Sequence, residues 1–294
     1  MTDTDPARAV DLAFDRSGPV GAPAVVLLHG WPGDRTDWAS VSDLLAADHD
    51  VVVPDLRGFG ASYEPGRDDG ADPAASYGAS PQAGYVARLV ESLGLEGPVV
   101  AGYDVGSRVA QALAREHPEQ VRALVLTPPV PGVGRRVLEP EPQREFWYQA
   151  FHQLALAEQL LDGDERAVRA YLRHFWSHWS GPALPDDLVE AQLDHLAPLY
   201  ARPGAFTASV GWYRAGSGTI ARAAVEDSGP RPAPITVPTT VQWPEHDPLF
   251  PPAWSDRLGE TFADHTLEHV PGVGHFAPVE YPDRLADAIR AAAR

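Results

Sequence analysis

The chain has 294 residues, 44% hydrophobic and 22% charged, enough to bury a large core as one α/β domain with an insertion or as two modest domains. Its formal charge of −18 argues against nucleic-acid or anionic-membrane partners, both of which need basic patches. The chain has no cysteine, which excludes disulfides and thiolate chemistry.

In chain order, the acidic Met1-Thr-Asp-Thr-Asp5 lacks the apolar core of a secretory signal. No apolar run approaches the ~20 residues of a membrane span, so a cytoplasmic protein is expected. All 23 basic residues are arginine, which with abundant Ala, Gly and Pro points to a GC-rich, actinobacterial genome. Val25–Leu28, Val51–Val53, Val99–Ala101 and Ala123–Leu126 are continuous apolar runs, as strands buried on both faces should be. Trp38–Ala47 and Ala83–Leu93 read as amphipathic helices between them, and Val109, Ala110, Leu113 and Ala114 keep helical spacing after the third run. Gly66–Ser80 reads as a flexible surface loop and Thr127–Gly132 as a linker. The next ~90 residues carry helical patterns without a clear strand. Strands resume at Pro238–Trp243 and Thr266–Val270, and Asp283–Ala293 closes the chain as a helix. The expected fold class is α/β, a mostly parallel sheet flanked by helices: core residues 1–132, a helical cap at 133–225, and core again at 226–294.

Four short stretches carry candidate chemistry. In Gly102-Tyr-Asp-Val-Gly106 a strand runs into a glycine-flanked turn and then a helix, which exposes the middle side chain, Asp104, as a nucleophile. A carboxylate there suits displacement at saturated carbon better than acyl transfer. His29-Gly-Trp-Pro-Gly33 can aim a backbone N–H at a developing oxyanion, Trp31 and Val105 being the two donors, although a simple turn would also account for it. His275 follows the last strand, at the sheet end where α/β proteins bind ligands. Asp247 could fix the tautomer of that histidine, with Glu245 as its competitor.

The series His29-Gly-Trp-Pro, Asp55-Leu-Arg-Gly-Phe-Gly-Ala-Ser62, Gly102-Tyr-Asp-Val-Gly106, Glu245-His-Asp-Pro248 and Gly274-His-Phe276 resembles the α/β-hydrolase fold. More narrowly, it is similar to the epoxide hydrolase and dehalogenase branch that uses an aspartate nucleophile. The resemblance implies Asp104 as nucleophile, His275 as base and Asp247 as its acid. Some relatives carry the acid near the position of Thr127, and a threonine there supports Asp247. Epoxide hydrolases of this branch use two cap side chains, often tyrosines, to bind the oxirane oxygen. Tyr148 and Tyr213 resemble that pair, and a phenol of pKa ~10 is a suitable donor to an alkoxide. Packing of both rings at the cap interface is the alternative.

Haloalkane dehalogenases commonly carry Trp after the nucleophile, where this chain has Val105. Fluoroacetate-type dehalogenases follow the aspartate with two arginines, of which only Arg108 is matched. Tyr103 and Pro244 depart from the branch pattern at positions usually held by histidine and glycine. His174 and His178 have the spacing of a helical metal pair but no Glu partner or third ligand, so no metal is expected. Trp147, Trp212, Arg108 and Phe151 are candidate substrate contacts. The expected activity is hydrolysis of a small-molecule epoxide, with a bulky natural product as the expected substrate, to a vicinal diol by a monomer or homodimer without cofactor. Dehalogenation and a non-enzymatic ligand-binding role are the alternatives.

Overall fold

The computed structural model describes residues 12–65, 72–131, 133–226, 228–229 and 232–294. Within them, seven strands form one sheet in the order β1-β3-β2-β4-β5-β6-β7. These are β1 (Phe14–Ser17), β2 (Ala24–Leu28), β3 (Asp50–Pro54), β4 (Val99–Gly102), β5 (Ala123–Leu126), β6 (Thr239–Pro244) and β7 (His265–Val270). Only β1 runs antiparallel to its neighbour, and the other pairings are parallel. Strands β2 to β5 are buried at every position, because helices cover both faces and leave no exposed face for polar alternation.

The covering helices begin with α1 (Ala39–Leu45), α2 (Pro73–Tyr77), α3 (Ala79–Ser92) and α4 (Val105–Glu116). Between β5 and β6 come α5 (Pro140–Glu145), α6 (Trp147–Phe151), α7 (Ala155–Leu161), α8 (Glu165–Trp179), α9 (Asp186–Tyr200), α10 (Ala205–Ser209), α11 (Gly211–Arg214) and α12 (Thr219–Glu226). The chain ends in α13 (Ala277–Glu280) and α14 (Pro282–Ala292). The α/β architecture read from the apolar runs is therefore the one observed.

The details differ in four places. Strand β1, of sequence Phe-Asp-Arg-Ser, carries no apolar run; it pairs as an edge and stays partly exposed. The stretch read as a loop over Gly66–Ser80 holds α2, whose first turn is capped by the Asp72 side chain accepting from Ala74 N; its residues 66–71 lie outside the described residues, as does Met1–Asp5. Helix α3 starts at Ala79, four residues before the apolar spacing becomes legible. The supposed linker after β5 is instead packed against the glycine-flanked turn between β4 and α4. Pro128 O accepts from Asp104 N, and Pro129 O accepts from Ser107 Oγ and Gln111 Nε2. Gly132 lies outside the described residues. No helix among the described residues is long and apolar enough to cross a membrane.

Candidate active site

The turn between β4 and α4 sets the centre of the site. Asp104 adopts φ 48°, ψ −118°, and among the described residues it alone, apart from glycines, has positive φ. Such a conformation costs a non-glycine residue on the order of 1–3 kcal/mol and persists only where its surroundings enforce it. The flanking glycines enforce it. A Cβ on Gly102 would lie 2.5 Å from Gly106 C, and one on Gly106 would lie 2.0 Å from Leu28 O. The strand and helix can approach this closely only without side chains at these two positions, which leaves the Asp104 carboxylate at the N-terminus of α4, where the helix dipole favours negative charge.

Three elements converge on that carboxylate. Trp31 N, after β2, donates to Asp104 Oδ1 at 2.8 Å. His275 Nε2, after β7, faces Asp104 Oδ2 at 3.5 Å. Asp247, after β6, accepts from His275 Nδ1 at 2.9 Å through Oδ2, while its Oδ1 accepts from Leu249 N at 2.8 Å. Glu245 is exposed and outside this arrangement. Burial on its own pulls His275 down, but Asp247 and Asp104 outweigh it and hold the imidazole up to about 10. In the resting site His275 is therefore an imidazolium between two carboxylates.

The His275 loop is clamped to the end of α8. His275 N donates to Trp179 O at 2.8 Å, and a Cβ on Gly274 would lie 2.2 Å from Gly181 N. Glu280, which the sequence reading did not single out, gathers three backbone N–H groups: Gly274 at 2.7 Å, Gly181 at 2.8 Å and Phe276 at 3.0 Å. Burial pushes its carboxyl up, against those three donors.

A chamber of about 10 Å³ opens on Asp104, bounded among others by Val105, Arg108, Tyr148, Gln149, Trp212 and Tyr213. Tyr148, Tyr213, Trp212 and Arg108 thus border the same space as the Asp104 carboxylate. Both phenols are buried; Tyr148 stacks on Trp31 at 5.6 Å and meets Tyr213 edge-on at 5.5 Å. Their pKa values lie well above the ordinary tyrosine range because burial, then nearby charge that includes Asp104, disfavours the phenolate. Both therefore remain hydrogen-bond donors. Tyr148 Oη accepts from Gln149 Nε2 at 3.2 Å. Burial pulls the Arg108 guanidinium down to about 10, against Glu226, and it remains cationic at neutral pH.

Two candidates fall elsewhere. Trp147 is exposed and lines a separate cavity of about 490 Å³. Phe151 lines neither space and packs against Trp147 and Tyr171 at 6.0 and 5.7 Å, because it sits one helical turn along from Trp147. Gln149, Thr219 and Phe250 also bound the chamber and were not legible beforehand; Gln149 adjoins Tyr148 in the chain, which is the one signal that could have pointed to it. His174 stacks on His178 at 5.7 Å, and no group of three or more metal-binding side chains occurs among the described residues.

Comparison with known proteins agrees with the fold. The sequence pattern of the alpha/beta hydrolase fold matches residues 23–282. A fluoroacetate dehalogenase from Burkholderia sp. is 31% identical over 201 residues, which span 67% of this chain and 64% of that protein. A soluble epoxide hydrolase from Corynebacterium sp. (strain C12) is 26% identical over 266 residues, 90% of this chain and 87% of its own. The crystal structure of Cfl2 wild-type from Burkholderia cenocepacia superposes with a TM-score of 0.79 at 28% identity, covering 96% of this chain and 92% of that one.

Proposed function

The chain belongs to the alpha/beta hydrolase fold family, with epoxide hydrolases and dehalogenases among its relatives, and from that membership we propose that it is an epoxide hydrolase working through a covalent ester of Asp104. The observation that carries the reading is the company Asp104 keeps. One oxygen accepts the Trp31 N–H, the other faces His275, and two buried phenols border the same chamber.

Oδ1, already on the Trp31 N–H, stays the carbonyl oxygen, and Oδ2 attacks an oxirane carbon. The carbon–oxygen bond breaks, and the leaving oxygen takes its proton from Tyr148 or Tyr213. Ester formation removes the Asp104 charge, one of the two that hold His275 protonated, so His275 yields its proton to the phenolate and becomes a neutral base. It then takes a proton from water as the hydroxide adds to the Asp104 carboxyl carbon. The N–H groups of Trp31 and Val105 together stabilise the tetrahedral oxyanion by several kcal/mol. Collapse expels the diol oxygen, which takes the carboxyl proton, and the aspartate–imidazolium pair is restored. Helices α5–α12 act in this reading as the cap, supplying both phenols.

Single turnover in heavy-oxygen water tests the route. Label should enter Asp104 itself; label confined to the diol would exclude the ester. Arg108 beside a chamber of about 10 Å³ favours one second reading, dehalogenation of a small haloacid, for which halide release from haloacetates is the discriminating assay. A ligand-binding role without catalysis predicts inactivity on epoxide, halide and ester panels alike.

A further inference from the structure

The space beside Asp104 is divided by a wall. The inner chamber, about 10 Å³, has room for one water, and an oxirane cannot enter it unless a boundary moves. Gln149, Tyr213 and Gly218 bound both this chamber and the cavity of about 490 Å³ beyond it. Of these three, Gly218 has no side chain to move. Tyr213 is wedged between rings, at 5.8 Å from Trp31, 5.5 Å from Tyr148 and 4.7 Å from His152. Gln149 is held by two long hydrogen bonds, Nε2 to Tyr148 Oη at 3.2 Å and Oε1 from Ile220 N at 3.1 Å. Its amide closes directly over Gly218, where a Cβ would lie 2.7 Å from Gln149 Oε1.

The larger cavity suits an apolar occupant. Phe146, Trp147, Ala150, Ile220 and Ala221 line it, and Trp147, Ala150 and Ala221 are exposed at its mouth. Its volume falls in the range of small-molecule sites.

We propose that this cavity holds the body of the substrate and that Gln149 is the movable wall past which the reactive end reaches Asp104. The substrate class is then an elongated apolar molecule with a terminal oxirane, a specification that rests on the epoxide hydrolase reading. Each methylene buried in the cavity should raise kcat/KM about fourfold until the space is filled.

The test is a series of terminal epoxides from four to ten carbons. In the wild-type protein kcat/KM should climb with chain length. Ala150→Trp and Ala221→Trp, which fill the cavity without touching the chamber, should cost at least about tenfold at ten carbons and under about twofold at four. Gln149→Ala should lower kcat throughout, through the lost contact to Tyr148, yet raise the ratio of long to short substrates. A flat wild-type series, or equal losses at both lengths in the tryptophan variants, would overturn the proposal. If no epoxide is turned over, the functional reading fails, and the subsite is tested separately by binding of decane-1,2-diol and butane-1,2-diol. Fluorescence quenching that favours the longer diol, and disappears in both Trp147→Phe and Ala150→Trp, supports it. No preference between the diols refutes it.

Discussion

His275 is held up to about 10 in a fully enclosed position, and this has consequences for both stability and rate. Its folded pKa exceeds the ordinary value near 6.5, so unfolding releases a proton between the two. The stabilisation is complete below about pH 6.5 and is lost as pH rises through about 10. Thermal melts of the wild-type protein should therefore fall across that window, and His275→Gln should show a flatter profile. The rate argument runs through Asp104. In the proposed mechanism an esterified Asp104 no longer supports the imidazolium, so hydrolysis of the ester should show a pH midpoint well below 10 in single-turnover experiments. A midpoint equal to the resting value would mean that Asp104 does not govern the base. If His275 is the base of that mechanism, its removal should trap the intermediate: His275→Gln should lose on the order of 10³-fold in turnover and gain the mass of one substrate, read by intact-protein mass spectrometry. Asp104→Asn should show neither turnover nor adduct.

At the scale of elements, the turn between β4 and α4 depends on its two glycines and on the strand-end segment after β5. Gly106→Ala drives a Cβ to 2.0 Å from Leu28 O, a backbone atom that cannot yield without displacing β2. The expected cost is about 3 kcal/mol or more, measured by denaturant unfolding, and a near-neutral result would show that the strand and helix can separate. This region was legible in the sequence because strands buried on both faces are continuous apolar runs and their turns are marked by glycine. Edge strand β1, with its polar Asp15 and Arg16, offers no such run. The contribution of Glu280 was illegible for another reason. Its acceptors' partners include Gly181, 99 residues away, and only the folded chain brings them together. The same holds for Gln149 and Ile220, 71 residues apart. Asp247 and His275 were legible because each follows a strand at the end of the sheet where ligands bind; the clamp of the His275 loop on Trp179, at the end of α8, was not.

Across the whole molecule, the helices between β5 and β6 are tied to the loop after β2 and to the His275 loop rather than merely laid over them. Trp176 on α8 stacks on Phe276 at 3.7 Å and donates to Pro32 O at 3.1 Å, and Tyr200 on α9 both donates to Gly33 O and accepts from Gly33 N. His195 on α9 adds an ion pair to buried Asp34 at 2.8 Å. Burial pushes the Asp34 carboxyl up, but His195 and Thr36 outweigh it and hold it at about 2, and Asp34 in turn raises His195. These ties act against a net charge of −18, whose repulsion is summed over the entire surface. Added salt screens that repulsion over a Debye length of ~10 Å at 0.1 M, but it also screens exposed pairs such as Arg169–Glu190 and Arg136–Asp256. Such pairs contribute about 0–1 kcal/mol each, whereas the repulsion grows with every unpaired acid. Repulsion should therefore win: raising NaCl from 10 mM to 0.5 M should lift Tm by about 1–2 °C, the shift that ~1 kcal/mol gives a protein of this size. The buried Asp247–His275 pair lies out of reach of the ions, so the same increment should appear in His275→Gln. A fall in Tm with salt would instead place the exposed ion pairs among the main supports of the fold.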